Sequence, residues 1–387
     1  MKIERVHLDF VELPLTDPFE TSVGVSTVKQ AWLLTVLADG VHGYAESVAD
    51  PDPHWNEETH ATVYFALKNH LLPRLWGREI EKPEDVAQVL GPIRANFMAK
   101  ATIEMAVWDW FARAQEVPLW KLLGGDPAKT RIPVGVSIGI QPTTKDLLQA
   151  ADQFIRLGYR RLKVKIKPGL DVERLTALRQ HVGPSIKIMA DANSAYRLED
   201  IPNLQTLDDL DLMMLEQPLS HDDLIDHATL ARAIKTPVCL DEAIRTPDDA
   251  RKAIDIGACR IINIKVGRVG GHTMARVIHT MAEERGVPVW CGGMQETGIG
   301  RAHNLHMSTM TNFRLPGDTS ASDRYFLEDL VDPPFTLNAD GSLTVPDGPG
   351  IGVTPQPKRL AQYSSFHQEL TDQSPVILVP HGMPASF

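Results

Sequence analysis

The sequence predicts an α/β fold: a (β/α)-barrel of seven or eight units with an α+β capping domain formed by the N-terminal part and the C-terminal segment. From about residue 131, short apolar stretches alternate with helical patterns for about 200 residues. Strict alternation of this kind implies parallel strands joined by right-handed crossovers. So many successive units favour a closed barrel over an open sheet.

Residues 1–126 are expected to form most of the capping domain. Strand-like alternation over 2–14 and 30–47, with Gly40 and Gly43 near the turn, predicts a hairpin. Helical spacing predicts helices at about 56–72, 83–95 and 99–115, and the glycine pair at 124–125 ends this part of the chain.

Residues 127–328 are expected to form the barrel. The predicted strands are 133–139, 161–167, 186–192, 212–217, 238–242, 261–266 and 287–292, with a weakly marked eighth near 313–316. Helical patterns lie between them at 144–157, 171–181, 222–234, 246–256 and 271–285.

The last part of the chain, 329–387, is expected to return to the capping domain through a hairpin-like turn at 338–342. Its final thirty or so residues are rich in Pro, Ser and Gln and are expected to be loosely ordered.

Composition excludes several classes of protein. The chain has 387 residues and a formal net charge of −11, which argues against nucleic acid or an anionic membrane as the main partner. Its three cysteines show no paired spacing, which indicates a reducing compartment without a disulfide framework. There is no apolar signal segment at the start and no run near the ~20 apolar residues that a membrane span needs. A soluble cytoplasmic protein is expected.

The second predicted barrel strand has one apolar and one cationic face. Leu162, Val164 and Ile166 alternate with Arg161, Lys163, Lys165 and Lys167. In a barrel the helix layer needs the apolar side, so the lysines should face the interior. A surface strand with its lysines in water is the simpler alternative, but interior cations would require partners or a purpose.

Acidic residues end the next three predicted strands, at Asp191, Glu216 and Asp241, spaced 25 residues apart. Lys265 follows on the next strand. The spacing is close to one βα unit, so these side chains should occupy equivalent positions and converge with Lys165. Three carboxylates without His or Cys predict a site for Mg²⁺, or Mn²⁺, in preference to zinc. Helix caps or loop charges remain the alternative for any one acid.

Lysines on both sides of such a metal suggest proton transfer at a carbon next to a carboxylate. One lysine would remove the α-proton while the metal stabilises the enediolate, and the other would return a proton to the opposite face. A positive neighbour such as Lys163 would lower the pKa of the base. Lys163 could also reach the substrate carboxylate, and the partner is therefore a small-molecule carboxylate.

This constellation resembles the enolase superfamily, whose members are known to use a Lys or His base with Mg²⁺. A lysine on the sixth strand, with no histidine ending the seventh, resembles the muconate-lactonising subgroup. The stretch WDWFARAQEVPLWKLLGG (108–125) is part of the superfamily resemblance. Further stretches resemble the subgroup's N-succinylamino acid racemase/o-succinylbenzoate synthase family: GVSIGI (135–140), KIKPGLDV (165–172), NIKVGRVGG (263–271), CGGMQETGIGRAHN (291–304) and LPGDTSASDRYF (315–326). Lys167, where relatives often carry glutamate, and the tail beyond 360 are departures from the pattern.

The resemblance implies Asp191, Glu216 and Asp241 as metal ligands, and Lys165 and Lys265 as the acid/base pair with Lys163 nearby. It also implies cap loops at 19–27 and 51–57 that close over the site. Candidates for substrate binding are Ser137, Asn193, Gly293, Met294, Arg268, Phe19, Ser22, Trp55 and Arg324. Glu242 would lie behind the ligands, and His272 is expected to be structural.

The resulting hypothesis is an N-acylamino acid racemase that prefers N-succinyl substrates and assembles as a homo-oligomer. o-Succinylbenzoate synthesis by syn dehydration, a step of the menaquinone pathway, is the alternative as main or second activity. There Lys165 would be the base and Lys265 would hold the enolate by a cation–π contact. Dipeptide epimerisation is disfavoured because the residues after strand seven are Gly-Gly-Met instead of an acidic motif. A barrel that binds a ligand without turnover is the remaining alternative.

Overall fold

The cap contains a four-stranded antiparallel sheet. Three of its strands are β1 (Arg5–Glu20), β2 (Val25–Ala38) and β3 (Val41–Glu46), and the fourth comes from the C-terminal segment. The computed structural model describes residues 1–22 and 24–376. The hairpin of β1 and β2 continues to the pair Glu20 and Val25, so most of 19–27, predicted as a loop, is strand. The turn at Asp39 and Gly40, both at positive φ, separates β2 from β3 within 30–47, where the sequence predicts a hairpin turn.

Five helices follow: α1 (His60–Ala66), α2 (Leu72–Leu75), α3 (Glu84–Leu90), α4 (Phe97–Ala114) and α5 (Leu119–Leu123). A π-helical turn over 67–71 joins α1 to α2. The Thr59 side chain caps α1, so this helix begins at His60, four residues after its predicted start at 56. The long helix α4 packs on β3 at Gly43, where a Cβ would lie 2.1 Å from the Ala106 carbonyl oxygen. Glycine at 43 therefore permits the close approach of helix and sheet.

The barrel consists of parallel strands alternating with helices, as predicted. After the short β4 (Arg131–Pro133), the strands are β5 (Val136–Ile138), β6 (Arg161–Lys165), β7 (Lys187–Asp191), β8 (Leu215–Glu216), β9 (Val238–Leu240), β10 (Ile261–Ile264) and β11 (Val289–Cys291). They lie side by side in chain order in one curled sheet. The helices are α6 (Thr144–Leu157), α7 (Val172–Val182), α8 (Ile201–Gln205), α9 (Ile225–Ala233), α10 (Pro247–Asp255), α11 (His272–Glu284) and α12 (Gly298–Met307).

The predicted eighth strand near 313–316 is not formed. Instead, Phe313 bridges Val289 at one edge of the sheet and Gly317 bridges Val134 at the other. This segment crosses from one edge of the sheet to the other and does not run along either edge strand, so it forms a single β-bridge at each edge. The ring is thus completed by single contacts in place of a ladder.

The C-terminal segment returns to the cap, which confirms that part of the predicted fold. β12 (Ser342–Thr344) pairs with β4, α13 (Pro357–Tyr363) follows, and β13 (Ser364–Leu370) pairs antiparallel with β1. The expectation of loose order beyond 357 is therefore wrong for 357–370, because backbone pairing with β1 holds a largely polar strand. The part of that expectation that concerns 377–387 lies outside the described residues, and the domain boundaries at 126 and 328 remain predictions.

A buried carboxylate joins the cap to the barrel. Glu104 of α4 accepts hydrogen bonds at the start of α11 from the backbone N–H groups of His272 (2.8 Å) and Thr273 (2.9 Å). The Thr273 hydroxyl and the Trp108 indole N–H also donate to it. A carboxylate favours the N-terminal end of a helix dipole, so this contact fixes α4 against α11. In the described ranges, no helix has the length and apolar character to cross a membrane.

Candidate active site

The cationic face of β6 lies inside the barrel, as the alternation predicts. Lys163 pairs across the sheet with Met189, which belongs to a small apolar cluster with Trp290. The Lys163 ammonium lies 5.1 Å from the Trp290 ring centre, and the Arg161 guanidinium lies 5.4 Å from it. On the other face, Leu162, Val164 and Ile166 are buried in the main core.

The charged side chains converge at the carboxyl ends of the strands, but not at one level. Lys165, Asp191 and Glu216 are direct neighbours across β6, β7 and β8. Glu216 then pairs with Cys239, so Asp241 lies two residues further along its strand. A stagger of two keeps the side chain on the interior face, because strand side chains alternate with a period of two. The side chains therefore point into the barrel as predicted. Asp241, however, does not lie at the same level along the barrel axis as Glu216.

Each carboxylate faces a cationic side chain. The Lys163 ammonium lies 2.8 Å from Asp191 Oδ2 and 2.7 Å from Glu216 Oε2. The Lys165 ammonium lies 2.6 Å from Asp191 Oδ2, and the Lys265 ammonium lies 2.9 Å from Asp241 Oδ2. Among the described residues, no three acidic, His or Cys side chains are gathered into a ready-made ligand set. Lys163 lies between Asp191 and Glu216, and Lys265 lies beside Asp241.

Two of these carboxylate oxygens nevertheless lack a directed donor. Within the part of the chain that the structure describes, Glu216 Oε2 and Asp241 Oδ2 are buried and receive no directed hydrogen bond, although a lysine ammonium lies within ion-pair distance of each. The two lysine ammonium groups neutralise the carboxylate charge, but the angles of approach do not meet hydrogen-bond geometry. Buried anionic oxygens without donors fit an oxygen-liganded divalent cation, so the three carboxylates are a donor set that suits Mg²⁺ or Mn²⁺.

The two lysines of β6 differ in proton affinity. Burial lowers the pKa of Lys163, but the Asp191 and Glu216 carboxylates outweigh burial and raise that pKa well above its usual value. Burial lowers the pKa of Lys165, and the positive charge of Lys163 lowers it further against the pull of Asp191. The cationic neighbour therefore acts as the sequence predicts.

The two acids that share Lys163 respond in opposite directions. Burial alone would raise the pKa of Asp191, but Lys163 and Lys165 together hold that pKa below its usual value. Burial and the charge of Asp191 raise the pKa of Glu216. Asp191 has a second lysine in contact and Glu216 does not, which explains the split.

A cavity of about 220 Å³ opens above these groups, between barrel and cap. Of the predicted substrate residues it is lined by Phe19, Trp55, Ser137, Asn193, Gly293 and Met294, together with Lys163, Lys165 and Lys265. The Trp55 ring centre lies 4.3 Å from the Lys265 ammonium. The cap therefore supplies one wall of the site directly over a barrel lysine.

The structure does not bring Arg268, Arg324 and Ser22 to the cavity wall. Arg268 is buried behind Asp241, forms a short ion pair with it and donates to the Asn263 carbonyl. Arg324 donates to the Ser137 carbonyl and lies over aromatic rings. Ser22 donates to the backbone carbonyls of residues 192 and 193. These side chains are committed to protein contacts.

Supporting residues lie close to their predicted places. Asn193 donates to Glu242 at 2.9 Å and accepts from Lys165 at 2.6 Å, so Glu242 is one step removed from the lysine. Gly293 is needed for a reason other than ligand approach, since a Cβ there would lie 2.6 Å from the Asp318 carbonyl oxygen. His272 is buried and contacts His303, in agreement with a structural role.

Sequence reasoning missed Asn263, Asp318 and Asp50. Asn263 donates to Glu216 Oε1 at 2.7 Å and lies two residues before Lys265, so the alternation could have found it. Asp318 accepts from Ser137 at 2.7 Å and pairs with Arg161 at 3.1 Å, but it comes from an irregular segment with no periodic signal. Asp50, also a cavity residue, lies four residues after the end of β3.

Fold and site together define an enzyme built on a capped (β/α)-barrel, with carboxylates and opposed lysines at the barrel mouth. The chain belongs to the enolase superfamily, as the sequence predicts. Residues 5–124 match the mandelate racemase/muconate lactonizing enzyme N-terminal domain, and residues 146–359 match the enolase C-terminal domain-like family. Divalent-metal dependence is general to this superfamily.

Similar proteins carry two functional names. The chain is 49% identical to an o-succinylbenzoate synthase from Geobacillus kaustophilus, over 95% of this chain and 97% of the relative. It is 46% identical to an N-succinylamino acid racemase from Thermus thermophilus, over 91% and 95%. An enolase superfamily member from Listeria innocua has a similar crystal structure, with a TM-score of 0.92, 43% identity and coverage of 96% and 100%. The class is thus an isomerase or lyase acting on a small molecule.

Proposed function

We propose that the protein is an N-acylamino acid racemase that prefers N-succinyl substrates. The supporting observation is the placement of two lysines on either side of the carboxylates. Lys165 ends β6 and Lys265 follows β10, while Asp191 ends β7, Glu216 ends β8 and Asp241 directly follows β9. Racemisation requires a proton donor and acceptor on each face of one carbon, and opposed lysines supply both.

Asp191, Glu216 and Asp241 would hold the metal, proposed to be Mg²⁺ with Mn²⁺ as a substitute. When bound, the metal supplies positive charge that stabilises the substrate carboxylate as the α-proton leaves. Asn263 and Arg268 keep Glu216 and Asp241 oriented, because each bonds an oxygen of its carboxylate.

Lys165 is the better placed of the two lysines to act as the neutral base. Burial and Lys163 lower its pKa, and its hydrogen bonds to Asp191 and Asn193 fix its direction. It removes the α-proton of one enantiomer, while Lys265 delivers a proton to the opposite face. For the other enantiomer the roles are exchanged, so no net proton is consumed.

Lys163 remains charged throughout this exchange. It is buried between Asp191 and Glu216, and its raised pKa keeps the proton on the nitrogen. Its role is to lower the pKa of the neighbouring base and to add positive charge beside the substrate carboxylate.

o-Succinylbenzoate synthesis is the second candidate, favoured by the 49% identity to a synthase of that name. Dehydration needs one base, and the charge of Lys265, near the Trp55 ring, would hold the enolate. Dipeptide epimerisation has less support, because the residues after β11 are Gly-Gly-Met instead of an acidic motif, and Asp318 next to Gly293 is already paired with Arg161 and Lys163.

The test is proton NMR in D₂O with Mg²⁺ on N-succinyl-L-phenylalanine and its D enantiomer. The wild type should exchange the α-proton of both, whereas Lys165→Ala and Lys265→Ala should each abolish exchange of a different enantiomer. Lys167→Ala is the matched control, because Lys167 lies two residues beyond the end of β6 and only approaches Glu20 at 3.7 Å. Exchange of neither enantiomer would refute the racemase, and dehydration of the cyclohexadiene precursor by the same sample would identify the synthase.

A further inference from the structure

Asp50 places a carboxylate in the cavity from the cap side. Its backbone bridges Thr59 at the entrance to α1, and its side chain lines the cavity together with Trp55 and Met294. Within residues 1–22 and 24–376, no hydrogen bond and no ion pair within 4 Å reaches this carboxylate. Asp50 therefore differs from every acid at the barrel mouth.

The cations that face Asp50 are engaged elsewhere. Burial raises the pKa of Asp50, and the charges of Lys29 and Lys265 act in the opposite direction. The Lys29 ammonium donates to the Met294 carbonyl at 2.9 Å, and the Lys265 ammonium pairs with Asp241 at 2.9 Å. Asp50 is half-buried on the cavity wall, and its carboxylate is free to bond a cationic ligand.

Charge decides which part of the substrate meets Asp50. The α-carboxylate belongs inside the barrel with Lys163 and the metal that the three acids would hold, so the amino-acid side chain and the acyl group extend toward the cap. A succinyl group ends in a carboxylate, which Asp50 would repel. An amino-acid side chain that carries an ammonium or guanidinium group would be attracted and hydrogen-bonded.

We propose that Asp50 selects substrates with a positively charged amino-acid side chain, so that N-succinyl derivatives of basic amino acids are preferred. This inference rests on the proposed racemase function and adds to it a substrate class. The same chemistry could come from the free α-ammonium of a dipeptide, and the experiment separates the two sources.

The test measures kcat/KM for α-proton exchange in D₂O with Mg²⁺. The substrates are N-succinyl-L-lysine, its Nε-acetyl derivative and N-succinyl-L-norleucine, which keeps the four-carbon chain without the ammonium. L-Alanyl-L-norleucine is the dipeptide arm. The proteins are the wild type, Asp50→Asn and Asp39→Asn, a control that removes one exposed cap carboxylate at the β2–β3 turn.

The wild type should prefer the lysine substrate over both neutral analogues by roughly tenfold or more, because a cation would meet an otherwise unpartnered carboxylate. Asp50→Asn should reduce that ratio to near one, and Asp39→Asn should retain it. If Asp50→Asn does not fold, the wild-type ratios decide the question.

Three results would overturn the inference. If the wild type exchanges N-succinyl-L-norleucine as fast as N-succinyl-L-lysine, the side-chain cation does not contribute to substrate preference. If Asp50→Asn keeps the wild-type ratio, a residue other than Asp50 recognises the cation. Preference for the dipeptide with sensitivity to Asp50→Asn assigns the cation to an α-ammonium instead. If no N-succinyl substrate exchanges, the proposed racemase itself has failed, a result distinct from loss of selectivity.

Discussion

The contact between Glu104 and the start of α11 predicts a pH-dependent stability that Glu104→Gln removes. Burial raises the pKa of Glu104 from 4.5 to about 7, against four hydrogen bonds that lower it. In the unfolded chain the carboxyl ionises near 4.5, so between pH 4.5 and 7 the folded protein binds more protons. The free energy of unfolding therefore falls as pH rises through this window.

The magnitude follows from these two pKa values. Between pH 5 and 8 the contribution of Glu104 to the free energy of unfolding falls by about 2.5 kcal/mol. Glutamine cannot ionise, so in Glu104→Gln the free energy of unfolding no longer depends on pH through this residue. The glutamine amide nitrogen cannot accept a hydrogen bond, so the backbone N–H group that it faces is left unsatisfied, which costs about 1–3 kcal/mol at every pH. The stability advantage of the wild type should thus shrink by about 2.5 kcal/mol from pH 5 to pH 8.

Urea unfolding of both proteins at pH 5, 6, 7 and 8 measures this difference, and histidines common to both proteins cancel. Glu116→Gln, an exposed position just after α4, should keep the wild-type profile. A wild-type advantage that stays constant across pH would show that the four donors keep Glu104 ionised throughout. The reasoning that burial dominates would then be wrong.

Three further outcomes follow from the site. Asp318→Asn should lower the free energy of unfolding by about 3–5 kcal/mol in urea titrations, because it leaves buried Arg161 without its anion; no change would show that the Pro316 and Gly317 carbonyls suffice. Gly292→Ala should reduce the exchange rate and weaken Mg²⁺ binding measured by calorimetry, because its Cβ would lie 2.5 Å from the Asn263 amide, which orients Glu216, and 2.8 Å from Lys265 Cε. Chelation by EDTA should abolish exchange but leave the far-UV circular dichroism intact, since lysines already compensate the carboxylates; unfolding in EDTA would contradict this.

The facing of the barrel side chains was predictable because it depends on local alternation alone. Once β6 is placed in a barrel, a period of two puts Lys163 and Lys165 on the inside, and the same rule applies to Asn263. The height of each residue was less accessible, because stagger depends on how neighbouring strands tilt. Asp241 thus lies beyond the level of Glu216 although the sequence spacing is regular.

Residues contributed by irregular segments could not be placed in the same way. Asp50 and Asp318 are 268 residues apart in the sequence and line one cavity only because the cap lies over the barrel mouth. The sequence also does not show which backbone carbonyl groups are available as hydrogen-bond acceptors. Such carbonyls bind the Arg268 and Arg324 side chains and keep them away from the cavity. The edge strand β13 was overlooked because its side chains are mostly polar, while its backbone bonds to β1 are independent of composition.

The pairing of β13 with β1 has a consequence for synthesis of the chain on the ribosome. The hairpin of β1 and β2 emerges first, and its outer edge has no partner until residues 364–370 have been made. Throughout that interval β1 exposes unpaired N–H and C=O groups, which are a template for association with other chains. Nascent chains are therefore prone to aggregate through the unpaired edge of β1, even after the barrel strands have been translated. A premature stop before residue 364 would leave that edge permanently unpaired.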